Sequence, residues 1–283
     1  MQLVAEIPCG CELGEAILWH PVQRRMWWAD ILGCRLYSAN LFGDAQQWYP
    51  TPEPVTAFGF TSVAGKFIVS FASGIAYFWP ATGAVEWLAQ PDLGGAERFN
   101  DGRVGPDGAF WAGTMSPSAP GESQLYRFDG SLQSILQGLT IANGLCWSTD
   151  GGYLHHADSP SRLIRRFKMR AAGVEAGELL VETPVNSYPD GAVIDAADNL
   201  WSAHWGGSCV VAYDHSGAVL DRLALPITQP TCVAFGGDQF DHLLVTSAWE
   251  HMTPEQRQRE PRAGNVFVFR TTYRGRPCDF YTS

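Results

Sequence analysis

The sequence predicts an all-β protein that folds as a six-bladed β-propeller. Two observations carry this prediction. The residue pattern has the period of strands, with scarce helical signals and short alternating apolar runs separated by turn residues, and one turn-and-strand unit recurs six times. The six units use nearly the full length of the chain. We therefore expect a single propeller domain over residues 1–283, without a linker.

The first observation is that the residue pattern has the period of strands. Apolar residues alternate over short runs, and Gly, Pro, Asp and Asn interrupt them about every 8 to 12 residues. The one convincing helical stretch is residues 253–259. We predict that it is a surface insertion in the last repeat.

The second observation is the repeat itself. Each unit has a turn followed by an aromatic or apolar strand, and the units can be anchored on Trp27, Phe67, Phe110, Tyr153, Leu200 and Leu243. The anchors are separated by 40, 43, 43, 47 and 43 residues. A β-sandwich would not keep so constant a period, whereas a propeller has one four-stranded sheet per repeat.

A closed ring must join its two ends. Residues 3–7 and 265–269 both have the pattern of strands. We predict that they pair within one composite blade, because this arrangement covers the free edges of the sheet.

Composition excludes several classes of function. The formal net charge of -10 argues against a nucleic-acid partner, which needs a basic surface. No apolar run reaches the roughly 20 residues of a membrane helix. Residues 1–6 lack the basic stretch and apolar core of a signal peptide. The seven cysteines are odd in number and scattered, which favours reduced thiols and a cytoplasmic location.

In four of the six repeats a polar residue occupies the same position relative to the turn, which we call the same phase. Asn100 and Asn143 each lie seven residues before the turn of their unit, and Glu15 and Asp190 each lie eight residues before it. Equivalent positions of a ring point at one axis, so we expect these four side chains to converge. Two carboxylates and two carboxamides form an oxygen-only set suited to a hard divalent cation, which predicts a central metal-binding channel. The alternative is that Asn-Gly and Asp-Gly simply mark turns, although Glu15 is a poor turn former.

The motifs around these positions are more specific than the spacing. They are Leu13-Gly14-Glu15, Arg98-Phe99-Asn100-Asp101-Gly102, Phe110-Trp111-Ala112-Gly113-Thr114-Met115, Ala142-Asn143-Gly144-Leu145, Ala157-Asp158-Ser159, Pro189-Asp190-Gly191 and Trp205-Gly206-Gly207. In this order and at this spacing the chain resembles the gluconolactonase/regucalcin family of sugar lactonases, which are six-bladed propellers. The similarity runs from Leu13 to about Phe269.

The resemblance implies roles for individual residues. Glu15, Asn143 and Asp190 are expected to be the ligands of one divalent metal ion. Arg98 and Asn100 are expected to contact the substrate, and Glu122 occupies a loop position where some relatives hold a sugar hydroxyl. The chain departs from the family where Ala16-Ile17 replaces the usual Gly-Pro, and where His155-His156 precedes Asp158.

From this resemblance we expect metal-dependent hydrolysis of a sugar lactone to the aldonic acid, with Asp190 as general base. The expected cofactor is Ca²⁺, with Zn²⁺, Mg²⁺, Mn²⁺ and Fe²⁺ as alternatives. A serine hydrolase is disfavoured because Ser159 has no Gly-x-Ser-x-Gly context. His204, which precedes Trp205, is a weaker candidate for substrate contact.

Two other classes of function stay open. One is a non-catalytic, calcium-binding regulatory propeller, and the other is a protein-interaction scaffold. The expected partner is a small-molecule sugar lactone, with no nucleic acid and no membrane. The sequence leaves open which lactone is bound and what the oligomeric state is.

Overall fold

The computed structural model of the chain describes residues 1–171 and 173–282. In these residues antiparallel strands form six sheets, which are arranged as blades around a central channel. The innermost strand of each blade packs against the innermost strands of both neighbouring blades, so the ring is closed. The six-bladed β-propeller predicted from the repeat is confirmed.

The first three blades each contain four strands that are consecutive in the chain. They follow β1 (Gln2–Ile7). Blade 1 contains β2 (Gly14–His20), β3 (Arg25–Asp30), β4 (Arg35–Ala39) and β5 (Gln47–Pro50). Blade 2 contains β6 (Val55–Phe60), β7 (Phe67–Phe71), β8 (Gly74–Trp79) and β9 (Ala84–Ala89). Blade 3 contains β10 (Arg98–Val104), β11 (Phe110–Met115), β12 (Ser123–Phe128) and β13 (Leu132–Leu139).

The remaining blades deviate from this plan in small ways. Blade 4 contains β14 (Ala142–Trp147), β15 (Tyr153–Asp158), β16 (Leu163–Arg170), the short β17 (Gly173–Val174) and β18 (Glu178–Glu182). Blade 5 contains β19 (Tyr188–Ile194), β20 (Leu200–Trp205), β21 (Cys209–Tyr213) and β22 (Val219–Ala224). Blade 6 contains β23 (Pro230–Gly236), β24 (His242–Ser247) and β25 (Val266–Arg270), together with β1.

Large aromatic side chains fill the spaces between blades. Trp28, Trp111 and Trp201 lie on the second strands of blades 1, 3 and 5, and all three are fully buried. In blade 5 the carboxylate of Asp195 accepts the Trp201 indole N–H at 3.0 Å and also accepts two backbone N–H groups of the turn. The turn and the aromatic residue that follows it are thus one packed unit. This explains why the spacing of the six repeats can be recognised in the sequence.

The two ends of the chain meet in blade 6. Strand β1 pairs with β25 in an antiparallel register from Gln2 opposite Arg270 to Ile7 opposite Val266. The pairing protects an outer edge that β25 would otherwise expose.

A C-terminal segment, residues 271–282, crosses one end of the channel. It makes backbone or side-chain hydrogen bonds with loops or strand ends of all six blades. The partners are Trp19, Phe60, Gly108, Thr149, Ala196 and Phe240. Only a small cavity of about 40 Å³ separates the segment from the strand ends. The channel is therefore closed at this end, which leaves the opposite end for a ligand.

The insertion between β24 and β25 contains the helix α1 (Pro254–Arg259). A capping box starts this helix: Thr253 Oγ1 accepts the Gln256 N–H, and Gln256 Oε1 accepts the Thr253 N–H. In the described part of the chain, no helix has the length and apolar character that crossing a membrane would require.

Candidate functional site

The open end of the channel is shaped by β-bulges. Every innermost strand has one, in the first half of the strand. The register shifts lie between Glu15 and Leu18, Val55 and Ala57, Phe99 and Gly102, Asn143 and Cys146, Pro189 and Ala192, and Pro230 and Val233. A bulge takes residues out of the ladder and redirects their side chains. This is the local reason why polar residues of equal phase reach the channel.

The four phased residues line a single cavity of about 330 Å³. Glu15 comes from blade 1, Asn100 from blade 3, Asn143 from blade 4 and Asp190 from blade 5. The blade 6 bulge presents Thr231, whose hydroxyl is bonded to Gly14 O and Thr246 rather than to the cavity. In blade 2 the bulge falls at Thr56, which is bonded to Ser70. The polar set is thus confined to four of the six blades.

Two of the bulges need a left-handed backbone conformation. The residues after Glu15 and Asn143 are Ala16 and Gly144, with φ of 54° and 65°. Glycine adopts this region without cost, whereas an L-residue such as Ala16 is strained there. The Ala16 N–H donates to Glu15 Oε2 at 2.9 Å, so the strained peptide also orients the carboxylate.

The carboxamides form a chain of hydrogen bonds across blades 3, 4 and 5. Asn100 Nδ2 donates to Asn143 Oδ1 at 3.1 Å, and Asn143 Nδ2 donates to Ser159 Oγ at 2.8 Å. Ser159 Oγ in turn donates to the carbonyl of Pro189 at 2.7 Å, directly before Asp190. Arg98 Nη1 donates to Asn100 Oδ1 at 2.8 Å at the other end of the chain.

The site is rich in buried carboxylates. Burial, followed by the charge of Asp101, raises the pKa of Glu15 to about 8. Burial and the charges of Glu15 and Asp101 raise the pKa of Asp190 well above its ordinary value. Burial lowers the pKa of Arg98, which is the guanidinium on the same cavity wall. The cavity therefore brings acidic groups together where burial and mutual repulsion oppose their ionisation, and a bound cation would favour their charged forms.

This arrangement fits a divalent cation. Glu15 and Asp190 supply carboxylate oxygens and Asn143 supplies a carboxamide oxygen, which are the donors that hard cations prefer. Among the described residues, no group of three or more His, Cys, Asp and Glu side chains is placed to bind a metal ion. The set described above differs in composition, because it has two carboxylates and the amide oxygen of Asn143.

The remaining walls are largely apolar. They include Leu13, Met115, Pro117, Ile141, Pro160, Tyr188 and Trp205. Glu250 and His251, from the insertion after β24, complete the rim. A small cavity with apolar walls and a few convergent polar groups is typical of a small-molecule site.

The other sequence candidates lie elsewhere. Glu122 is exposed in the loop after β11, its side chain adjoins Gly95, and it does not line the cavity. His204 is buried between Ser187 Oγ (2.8 Å) and Tyr213 Oη (3.1 Å). His155 and His156 are also buried, on β15. These histidines belong to the packed interior.

Three residues of the site were not singled out from the sequence. Asp101 is buried and accepts the Leu145 N–H at 3.0 Å, which ties blade 3 to blade 4. Ser159 bridges Asn143 and the Asp190 segment. Glu250 reaches the cavity from the last blade. Asp101 and Ser159 belong to the motifs on which the family resemblance rests, whereas no motif near Glu250 indicates a site.

Comparison with known proteins identifies the family to which the chain is similar. A profile of the family described as SMP-30/Gluconolactonase/LRE-like region matches residues 13–249. The chain is 36% identical over 271 residues to the 6-deoxy-6-sulfogluconolactonase of Pseudomonas putida, covering 93% of this chain and 92% of that protein. It is 32% identical to the L-arabinolactonase of Azospirillum brasilense, with coverage of 93% and 90%.

A solved structure gives the same fold. The calcium-binding protein regucalcin from Agrobacterium tumefaciens superposes with a TM-score of 0.93 at 28% identity, covering 99% of this chain and 98% of that one.

Proposed function

The chain belongs to the SMP-30/gluconolactonase/LRE-like family, and on that basis we propose that it hydrolyses a sugar lactone to the corresponding aldonic acid in the open end of its channel. The observation that carries the proposal is the convergence of Glu15, Asn143 and Asp190 with Arg98 and Asn100 in one cavity. The lactonase names of relatives at 32% and 36% identity support it.

We propose that Glu15, Asn143 and Asp190 hold one divalent metal ion, with Ca²⁺ as the first candidate. When bound, such an ion supplies positive charge that polarises an ester carbonyl and lowers the pKa of water. The oxygen-only donor set and the excess of buried carboxylates support this assignment. The calcium-binding description of the Agrobacterium protein also supports it.

Opening a lactone requires water to attack the ring carbonyl and the ring oxygen to leave with a proton. Asp190 lies at the cavity wall and is the candidate general base: its carboxylate takes a proton from the attacking water. The bond from the carbonyl carbon to the ring oxygen then breaks, and the same proton passes to the leaving oxygen. The water oxygen becomes part of the new carboxylic acid.

Arg98 and Asn100 position the substrate in this scheme. Arg98 is partly buried in the cavity wall, and its guanidinium donates to Phe99 O and Asn100 Oδ1, each at 2.8 Å. Its remaining N–H groups can donate to sugar hydroxyls or to the oxyanion that develops during attack. That Glu122 contacts the substrate stays a prediction, since its side chain is exposed and does not line the cavity.

The proposal is tested by acid release from a panel of lactones. Purified protein is assayed in a pH-stat with pentono-, hexono- and 6-sulfonated aldonolactones, before and after EDTA treatment and after restoration of Ca²⁺, Mg²⁺, Mn²⁺ or Zn²⁺. We expect acid release above the spontaneous rate from at least one lactone, with loss on EDTA treatment and recovery with a divalent ion. No acid release from any lactone under any condition would contradict the proposal.

A second candidate function is a non-catalytic, calcium-binding regulatory propeller. The specific observation that favours it is the likeness to regucalcin, which extends to the human protein at 29% identity. It predicts tight Ca²⁺ binding without acid release from any lactone. We also propose a cytoplasmic location, supported by seven cysteines that are all free.

A further inference from the structure

Glu250 is a cavity residue whose main chain is fixed on both sides. It lies just beyond β24, where Ala248 bridges to Leu13. The Glu250 N–H donates to the carbonyl of Glu12 at 3.0 Å, and the Glu250 carbonyl accepts from Gln229 Nε2 at 3.2 Å. The loop therefore holds the Glu250 side chain at a set place on the cavity wall.

The Glu250 carboxylate has few partners within the protein. In the part of the chain that the structure describes, its one side-chain contact is His251 Nε2 at 3.4 Å, and that imidazole is 82% exposed. The Glu250 side chain itself is only 20% exposed. Burial is the main reason that its pKa is raised. A carboxylate offers about four acceptor positions, and leaving them unfilled in a partly buried place costs free energy. The position therefore fits a ligand that brings several O–H donors.

Glu250 also offsets the cation of the cavity. Burial lowers the pKa of Arg98, and among the charges that counteract this lowering Glu250 is the strongest. Arg98 Nη1 donates hydrogen bonds to Phe99 O and Asn100 Oδ1, and the carboxylate of Glu250 offsets the charge of the guanidinium. Arg98 therefore offers little net positive charge to a second anionic group of a substrate, while its remaining N–H groups still serve as hydrogen-bond donors.

The formal charges of the cavity point the same way. Three carboxylates line it, those of Glu15, Asp190 and Glu250, against the single guanidinium of Arg98. A divalent ion at the proposed metal site would bring these walls to neutrality and leave no spare positive charge. An extra phosphate or sulfonate on the substrate would then face the Glu250 carboxylate at short range, where repulsion is weakly screened.

We propose that Glu250 is a specificity-determining residue: its carboxylate accepts hydrogen bonds from sugar hydroxyls and selects neutral polyhydroxylated lactones over lactones with a second anionic group. This inference rests on the proposed lactonase function. It deepens that function by naming the substrate class, and it adds a contact from blade 6 to a site otherwise built by blades 1, 3, 4 and 5.

The test compares Glu250→Gln with the wild-type protein on D-glucono-1,5-lactone and its 6-phosphate. Glutamine keeps the length and shape of the side chain but removes the charge and half of the acceptor oxygens. We expect KM for the neutral lactone to rise about tenfold to a hundredfold, as for loss of a charge-assisted hydrogen bond, while kcat changes little. We expect the preference for the neutral over the phosphorylated lactone to fall by at least about tenfold.

The matched control is Glu255→Gln. Glu255 lies on α1 in the same insertion, is exposed and does not line the cavity. Its kinetic constants are expected to equal those of the wild type. If Glu250→Gln leaves both KM and the neutral-to-phosphorylated preference unchanged, or lowers kcat alone on both lactones, the inference is overturned while the proposed function stands.

If the wild-type protein opens neither of these two lactones, binding decides the question for Glu250, and the proposed function is at fault only if the other lactones of the panel are not opened either. D-glucitol, a non-hydrolysable polyol, is titrated into the wild type and into Glu250→Gln by calorimetry. Binding that is weakened about tenfold supports the contact between Glu250 and hydroxyls. Equal binding, or no binding to either protein, overturns it.

Discussion

Asn100 Nδ2 donates a hydrogen bond of 3.1 Å to Oδ1 of Asn143, so that a carboxamide of blade 3 sets the orientation of a carboxamide of blade 4. Asn100 Nδ2 also donates to the carbonyl of Ala142, at 3.1 Å. The partners of a metal-binding side chain fix the direction in which its donor atom points. Asn100 can thus act both on substrate and, through Asn143, on the proposed ion.

Asn100→Leu tests this coupling between the two blades. The substitution keeps the volume but leaves Asn143 Oδ1 and the Ala142 carbonyl without their donor. We expect Ca²⁺ affinity, measured by calorimetric titration, to fall about tenfold to a hundredfold. We expect the free energy of unfolding of the apoprotein to fall by about 1–3 kcal/mol. Unchanged Ca²⁺ affinity in a folded variant would show that Asn143 orientation does not depend on Asn100.

Ala16→Gly tests the strained bulge beside Glu15. Ala16 has φ of 54°, a region in which an L-residue is strained and glycine is not. We expect the variant to be more stable by up to about 1 kcal/mol, or to melt about 2–4 °C higher, in spite of the added flexibility of its unfolded chain. The control is Ala203→Gly on β20, where the extended backbone gives no such gain. An equal loss of stability in both variants would contradict the account.

His156→Leu tests the cost of a buried neutral histidine. Burial lowers the pKa of His156 to about 4, and among the described residues its Nε2 has no hydrogen-bond partner. Between the unfolded pKa of about 6.5 and the folded pKa of about 4 the unfolded chain binds the proton and the folded chain does not. Stability is therefore lost as the pH falls through this window, by on the order of 3 kcal/mol for this residue.

The leucine variant lacks that loss. Its melting temperature relative to the wild type is expected to rise steadily from pH 7 to pH 4. The control is His215→Leu, which replaces a histidine at an exposed position outside the packed interior. A His156→Leu difference from the wild type that does not depend on pH would refute the prediction.

Tyr281→Ala tests the C-terminal segment that closes the channel. Tyr281 is buried, its ring stacks on Phe128 at 6.4 Å, and its N–H donates to the carbonyl of Phe60 at 2.8 Å. We expect the loss of the Tyr281 ring to lower the free energy of unfolding, measured by chemical denaturation, by about 3 kcal/mol or more, as for other buried aromatic residues. The neighbouring Thr282→Ala, at an exposed side chain, serves as the control. A loss of less than about 1 kcal/mol would mean that the segment is not part of the cooperative unit.

The fold could be predicted from the sequence because the residues that indicate it are neighbours in the chain. Each anchor residue begins, or lies within, the second strand of its blade, from Trp27 in β3 to Leu243 in β24. The turn that precedes the strand and the aromatic residue that packs against it are neighbours in the chain. Because all six units keep this arrangement, their spacing can be recognised in the sequence even though the individual residues differ.

The site could be predicted only in part from the sequence, because neither a β-bulge nor the closure of the ring is indicated by residues that are neighbours in the chain. The phase of the repeat placed Glu15, Asn100, Asn143 and Asp190 on one axis, and the cavity contains all four. In the second repeat the same position falls near Phe58, whereas the bulge of that strand lies at Thr56. Glu250 follows β24, and its main chain is held by Glu12 and Gln229, which are distant from it in the sequence, so no short-range pattern identifies it.

The most direct test of the central claim is the lactone-opening rate of Asp190→Asn. The variant removes the candidate base and one proposed ligand but keeps the shape of a buried side chain. We expect kcat/KM for the best lactone of the panel to fall about a hundredfold to ten-thousandfold, with the melting temperature preserved or raised. The matched control, Asp238→Asn, changes an exposed carboxylate paired with Arg24 and should keep full activity. Wild-type activity in Asp190→Asn would place the chemistry elsewhere and contradict the account.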